Sequence, residues 1–385
     1  MSGNQNNTPE KLYYDIQLTN LENNGLAPPV LNFIETRNVP FLYDADEYYM
    51  SIIRFSLDTP NLPVFIPTIE LNQPNINLTI YKVSLQWVNP VNPLQVFTST
   101  SPVIFIPQSK VAPLPPLPSV NGIQYNGGNY YNVYNYQYFI YLINEAFITC
   151  FNQLNASVTG AGLVLPTGYY PVLSWDTSNN TAIVNCDVLG YSTIASNYIK
   201  IFFNTPLAQL FSSFPVIISS GTGDLNAQII TNSFSNSNII QYPPFNPEYD
   251  AIQVFQECST IALWTPITSI VFTSTTLPIV SNQVSTPIVF NGSSVFGGNG
   301  NNSLVNQLIT DFISDDGTYR PNLVYQPSAQ YKWIQLMGKR PLTTFDLQVY
   351  WKDRLGQLNP FYLSSGSTAT IKILFSKKDS YGNTK

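Results

Sequence analysis

Apolar and polar residues alternate with a period of two along most of this chain, the spacing of half-buried β-strands. Tyr49, Ser51, Ile53, Phe55 and Leu57 share one face of a run over residues 47–58. Across residues 78–88, Ile80, Lys82, Ser84 and Gln86 alternate with Tyr81, Val83, Leu85 and Trp87, and residues 94–106 continue the series. Residues 62–69 form a short apolar stretch broken by Pro63 and Pro67, which predicts an edge or bent strand. Shorter strands are predicted around 173–175, 181–188, 199–203 and 216–220. Longer ones return at 269–275, 330–337, 345–352 and 368–376, the last with Ala369, Ile371, Ile373 and Phe375 on one face. No internal repeat of solenoid or propeller period is present.

One stretch has helical spacing instead. Phe139, Leu142, Ile143, Ala146, Phe147 and Cys150 make an apolar stripe, and Asn135 stands where an N-cap belongs. Its polar face has no Lys or Arg, so the helix is expected to lie on a sheet rather than on a membrane surface. Just before it, residues 112–119 are proline-rich, extended and semi-rigid. They contain a PxxP, but only Lys110 flanks it, and a linker at a domain boundary is the better reading. Strong strands therefore occupy both ends of the chain, with a block of different texture between. This predicts an all-β protein: a single jelly-roll, two-sheet sandwich built from residues 12–106 and 258–378. An insertion domain, residues 107–257, holds the helix, and residues 1–11 and 379–385 are flexible tails. About eight principal strands at the two ends fit a jelly roll, which pairs strands distant in sequence. An up-and-down barrel of consecutive hairpins accepts a long insertion less readily.

Composition narrows the function. Only 10% of the 385 residues are charged, against roughly 25% in ordinary soluble domains, while 14% are aromatic and 30 are proline. A surface of neutral amides and hydroxyls suits a protein largely buried in an assembly, and also an extracellular β-domain. The net charge of −6, with no basic run, argues against nucleic-acid binding. No uninterrupted apolar run approaches the ~18 residues of a membrane span. Residues 1–8 lack the apolar core of a secretory signal, so synthesis and assembly in the host-cell cytoplasm are expected.

The chain contains no histidine. That removes the commonest general base, the serine and cysteine triads, and most zinc and iron sites. Cys150, Cys186 and Cys258 are too widely spaced for a zinc site or a disulfide framework, and are expected to be buried free thiols. Chemistry would fall to carboxylates, the densest group being Asp311, Asp315 and Asp316, with Glu257 and Asp353 as more distant candidates. Two carboxylates beside a Tyr or Trp suffice for a glycosidase. Asp315-Asp316-Gly317, however, reads first as a turn, and no calcium-type loop surrounds it. Gly297-Gly298-Asn299-Gly300 lacks the Lys-Ser/Thr and the helix of a phosphate loop. The Asn-x-Ser/Thr sequons at Asn77, Asn155, Asn179, Asn291 and Asn301 are chance products of an Asn-rich chain. No catalytic, cofactor-binding or metal-binding residue is expected.

Several blocks resemble a known family. Ser51-Ile52-Ile53-Arg54-Phe55-Ser56, followed by Leu62-Pro63-Val64-Phe65-Ile66-Pro67, is similar to the opening strands of the penton (minor capsid) proteins of virophages and Polinton-like viruses. Tyr134-Asn135-Tyr136-Gln137 with Ile143-Asn144-Glu145-Ala146 resembles that family's helix signature. Trp264-Thr265-Pro266-Ile267, Tyr325-Gln326-Pro327-Ser328 and Val349-Tyr350-Trp351-Lys352-Asp353-Arg354 are similar to further blocks of the family, and Ala369-Thr370-Ile371-Lys372-Ile373-Leu374-Phe375 to its closing strand, all in the family's order. Size and Asn-rich composition look most like the pentons of Sputnik-type virophages. The resemblance implies a non-enzymatic virion protein, a homopentamer closing each icosahedral vertex beside a double-jelly-roll major capsid protein, with an insertion domain on the jelly roll. The second reading is a carbohydrate- or receptor-binding β-domain, in which the insertion's Tyr and Trp stack on a host or giant-virus surface glycan.

Overall fold

The computed structural model describes residues 9–21, 30–108, 124, 129–219, 223–231, 237–241, 250–279, 307–314, 319, 321–326, 332–354, 356 and 358–378. The chain divides into two compact units, Met1–Leu62 with Pro266–Lys385, and Pro63–Thr265. The first unit opens with β1 (Lys11–Thr19), β2 (Asn32–Thr36) and β3 (Tyr48–Asp58). The second contains β4 (Leu78–Val88), β5 (Val96–Ile104), α1 (Tyr136–Gly160), β6 (Val172–Asp176) and β7 (Thr181–Asp187). It continues through α2 (Val188–Tyr191), β8 (Ile199–Phe203), α3 (Thr205–Leu210), β9 (Val216–Ile218), β10 (Ala227–Ile229), β11 (Ser237–Gln241) and β12 (Asp250–Phe255). The first unit then resumes with β13 (Ile267–Ser274), β14 (Gln307–Phe312), β15 (Asn322–Tyr325) and β16 (Ile334–Gln335). It ends with β17 (Thr344–Asp353), β18 (Leu358–Pro360) and β19 (Thr368–Lys377).

The first unit is a two-sheet sandwich. One sheet runs β1-β19-β3-β15 with β16 added on β3, and the other runs β14-β13-β17-β18 with β2 added on β17. The two ends of the chain pair directly: β1 lies antiparallel to β19 from Lys11↔Ser376 to Thr19↔Thr368. Aromatic rings join the facing sheets. Phe55 of β3 meets Phe272 of β13 at 5.2 Å and Phe312 of β14 at 4.8 Å, while Tyr14 of β1 meets the edge of Phe345 of β17 at 5.3 Å. Two packed sheets built from sequence-distant antiparallel strands are the jelly roll that the sequence predicts.

Three expectations change. The predicted face of the 47–58 strand holds only for Phe55 and Leu57; upstream, Tyr48, Met50 and Ile52 are the fully buried side chains with Ser51, and Ile53 is only half-buried. The cause is a bulge. Lys372 pairs with Arg54 and the next residue, Ile373, with Ile52, leaving Ile53 as the extra residue and reversing the inward phase. Of the expected tails, residues 1–8 and 379–385 lie outside the described residues, and residues 9–11 are held by the sandwich instead. Lys11 begins β1, Lys377 N–H donates to the Glu10 carbonyl at 2.8 Å, and the Tyr48 hydroxyl donates to the Pro9 carbonyl at 3.1 Å.

The third change is the boundary between units. The insertion was expected over 107–257, but the second compact unit begins at Pro63 and ends at Thr265. β4 and β5 belong to it because β4 pairs with β8, from Val83↔Phe203 to Trp87↔Ile199. Asn204 fastens this pairing, donating Nδ2 to the Ile80 carbonyl at 2.7 Å and accepting Lys82 N–H at 3.0 Å. The proline-rich stretch at 112–119 lies outside the described residues and within the span of this unit. The expected strand at 62–69 is reduced to the bridges Phe65↔Val133 and Ile69↔Thr79, as two prolines dictate, and that at 330–337 to Ile334–Gln335.

The second unit has sheets β5-β4-β8-β10-β9 and β11-β12-β7-β6. Its helix α1 begins where the cap predicts, Asn135 Oδ1 accepting Tyr138 N–H at 2.8 Å. The predicted stripe from Phe139 to Cys150 is buried throughout and continues in Phe151, Leu154 and Val158. α1 packs on β4 and β5 and also on β6, where Asn144 exchanges two 2.8 Å hydrogen bonds with the Leu173 backbone. Two short helices, α2 and α3, join it in this unit.

Candidate assembly surfaces

Among the described residues, the acidic candidates Asp311, Asp353 and Glu257 form no three-residue cluster with other acidic or thiol side chains. Asp311 is on β14, where Lys332 Nζ lies 3.7 Å from its carboxylate and donates to its carbonyl at 2.9 Å. Asp353 is buried at the end of β17, and Glu257 is exposed in the second unit. Asp315 and Asp316 lie outside the described residues, as do Gly297–Gly300 and the sequons at Asn291 and Asn301. Among the described residues, no three His, Cys, Asp or Glu side chains are placed to hold a metal ion.

The thiols are equally quiet. Burial pushes the Cys150 thiol up to about 11, against weaker opposing hydrogen bonds from the Ser99 region, and Cys186 is raised further by burial and by the charge of Asp187. Neither is a thiolate near neutral pH. Cys258, expected to be buried, is exposed.

The aromatic residues of the second unit mostly build its core. Trp264 sits among Phe65, Phe139, Tyr136, Trp175 and Phe211 with ring centroids 5.2–5.8 Å away, and its Nε1 donates to the Leu210 carbonyl at 3.0 Å. Trp87 is buried and donates to Asn197 Oδ1 at 2.6 Å, and Trp175 stacks on Tyr136 at 4.8 Å. Both faces of a sugar-stacking ring must be reachable, or at least one must be free. Trp87 and Trp264 offer neither; among the described residues of this unit, an exposed ring is that of Tyr141, beside Tyr138.

What the first unit presents is neutral sheet surface with sparse charge. Across the outer face of its first sheet, Asp15, Lys372 and Arg54 stand in register on β1, β19 and β3. Lys372 Nζ is 3.3 Å from the Asp15 carboxylate and 5.6 Å from the Tyr13 ring centre. β1 and β15 are that sheet's two edges, carrying the exposed Tyr13 and Val324. Beyond β2, the Arg37 guanidinium lies 4.6 Å from the Phe41 ring centre and 2.6 Å from Glu35, between the exposed Ile34 and Val39. Two sheet edges that carry unlike side chains are what a subunit making head-to-tail contacts with its copies needs. No helix among the described residues is long and apolar enough to cross a membrane.

Comparison with known proteins agrees with this geometry. The Sputnik virophage protein V18 is 33% identical to this chain over 157 residues, 39% of this chain and 87% of V18. Structural protein V19 of the same virophage is 27% identical over 196 residues, 49% of this chain and 85% of V19. A chain of the Sputnik virophage particle solved by cryo-EM superposes with a TM-score of 0.78 at 25% identity, covering 97% of this chain and 99% of that one. The mavirus penton protein shares the fold, with a TM-score of 0.61 at 15% identity over 96% of this chain and 100% of the penton. The model of the Sputnik minor capsid protein V18/19 family matches residues 12–377, and the chain belongs to that family.

Proposed function

We propose that this chain is a penton subunit: a non-enzymatic virion protein, five copies of which form a ring at each icosahedral vertex beside a double-jelly-roll major capsid protein. The observation that carries this reading is the likeness to the mavirus penton protein over both compact units, 96% of this chain and all of that one, rather than over the sandwich alone. A jelly roll by itself serves many functions, so the insertion shared with a penton weighs more than the fold class. A ring closes by head-to-tail contacts between two different patches of the same subunit. The β1 and β15 edges of one sheet, opposite in position and unlike in sequence, suit that geometry.

The test is the oligomeric state of the purified full chain, by mass photometry and negative-stain imaging, together with mass spectrometry of purified particles. Fivefold rings, and the protein present in particles at a few copies per vertex, are the expected result. A strict monomer that is absent from particles overturns the reading.

A further inference from the structure

The first sheet of the sandwich ends in two open edges, and the register shows what each one offers. Lys377 N–H donates to the Glu10 carbonyl and Asn20 N–H to the Ser367 carbonyl, so every second residue of β1 exchanges bonds with β19. Lys11, Tyr13, Asp15, Gln17 and Thr19 alternate with those residues. They turn their N–H and C=O groups the other way, where no described strand pairs with β1. Thr59 N–H donates to the Pro321 carbonyl, which likewise turns the backbone groups of Asn322 and Val324 out of β15. β1 runs nine residues without a proline or a register shift, the devices that ordinarily close an edge to other chains. Such an edge is a template for a further strand.

These edges fit each other and not themselves. β1 runs parallel to β3 and β15 antiparallel to it, and Val324 stands in register with Ser56, Thr370 and Gln17. Rotation about an axis along the strands keeps every residue at its height, so it brings Gln17 of one copy level with Val324 of the next. The two strands are then antiparallel, with open backbone groups on both. The same rotation sets the row Asp15, Lys372 and Arg54 end to end with its copy. β15 stops at Tyr325, opposite Phe55 and one residue short of Arg54. Arg54 is exposed and has no ion-pair partner among the described residues, and the Asp15 side chain is 63% exposed beside Lys372. The junction therefore turns a cation towards an anion. A two-fold contact on this row sets Asp15 against Asp15 or Arg54 against Arg54, which like charges oppose.

Apolar side chains flank both edges. Tyr14 packs on Phe33 at 6.1 Å and Phe312 on Tyr325 at 4.3 Å, so β2 accompanies β1 on one side of the sandwich and β14 accompanies β15 on the other. Tyr13, Ile34 and Val39 are exposed on the first side, Val324 and Ile313 on the second. We propose, resting on the penton reading above, that each copy sets its β1–β2 side edge to edge against the β14–β15 side of the next, with Asp15 facing Arg54. The apolar residues supply affinity, and the charges select which edges meet.

Thiol crosslinking of the full chain, in a Cys258→Ser background, tests which edges meet. Gln17→Cys and Val324→Cys in one chain, treated with a short bismaleimide, are expected to give a ladder reaching five copies. The two single variants co-expressed are expected to give dimers and nothing larger, and either single variant alone no crosslink. Mass photometry supplies the second arm. Tyr13→Glu/Ile34→Glu on one side and Ile313→Glu/Val324→Glu on the other, all at exposed positions, are each expected to reduce rings about tenfold or more. Ile217→Glu, at an exposed site on the β9 edge of the second unit, is expected to leave them intact. Should a Glu pair unfold, the corresponding Ser pair decides in its place. Crosslinked dimers from either single variant alone, no ladder from the double variant, rings that survive blocking of either side, or equal loss in Ile217→Glu overturns this contact. If the parent still forms fivefold rings, the penton reading stands without it. A parent that is monomeric and absent from particles overturns both.

Discussion

The carboxylate of Asp346, near the start of β17, accepts the hydroxyl of Ser274 at 2.6 Å and so fixes the turn that follows β13. Thr275 and Thr276 complete the arrangement, each donating both its N–H and its hydroxyl at 2.7–3.1 Å, with no cation in the set. Burial pushes the Asp346 carboxyl up, but the hydrogen bonds from Ser274, Thr276 and Thr275 together outweigh it, and the net pKa falls below the ordinary 3.8. The depressed value means the stabilisation is complete above that ordinary value and fades as pH falls through the folded one. Asp346→Asn, which replaces an acceptor-only group with one that also donates, should cost on the order of 3 kcal/mol at pH 7. Urea unfolding at a series of pH values checks this: the gap between parent and variant should narrow only below about pH 4.

Trp264 carries the core of the second unit. Trp264→Ala should cost about 3–5 kcal/mol, because five aromatic neighbours lose a partner and a large cavity opens. Trp264→Phe should cost much less. The Leu210 carbonyl that loses the indole donor still accepts the Thr260 hydroxyl at 2.7 Å. Denaturant midpoints of the two variants separate these outcomes.

The start of α1 rests on one side chain. Asn135→Ala removes the acceptor for Tyr138 N–H and should destabilise by about 1 kcal/mol, while Asn135→Asp or Asn135→Ser should be nearly neutral. Thermal melts of the three variants give the ranking.

Thiol labelling should report folding. At pH 8 the native chain should react rapidly at one cysteine, Cys258, while Cys150 and Cys186 remain unmodified until denaturant is added. Cys258→Ser should abolish the rapid phase, and rapid labelling of all three thiols in the native protein would contradict the burial described above.

The sequence revealed strands far better than it revealed their partners. Period-two alternation marked β4, β5, β17 and β19 within a few residues, and the stripe from Phe139 to Cys150 marked α1 with its cap. Alternation is local, whereas pairing is not. β4 and β5 look like any half-buried strands, and nothing near them announces that β8 completes their sheet. Their assignment to the sandwich followed from that silence, and the proline-rich stretch then drew the boundary to the wrong place. β1 was missed although Leu12, Tyr14, Ile16 and Leu18 alternate, because its outward positions, Tyr13 among them, blur the contrast. The bulge at Ile53 was illegible, since only its neighbour's register defines it. Of the candidate surfaces, residue types were plain, but the placing of Asp15 and Arg54 toward opposite edges of one sheet exists only in the folded unit.

Phe65 and Trp264, near the two ends of the second unit's span, lie with ring centres 5.2 Å apart. To the sandwich, everything between them is therefore a loop whose ends are already closed, and closure entropy grows only with the logarithm of what the loop contains. Such a cassette can lengthen, shrink or be exchanged without disturbing its host. Vertex proteins of one lineage can thus keep the same sandwich while replacing the module inserted in it.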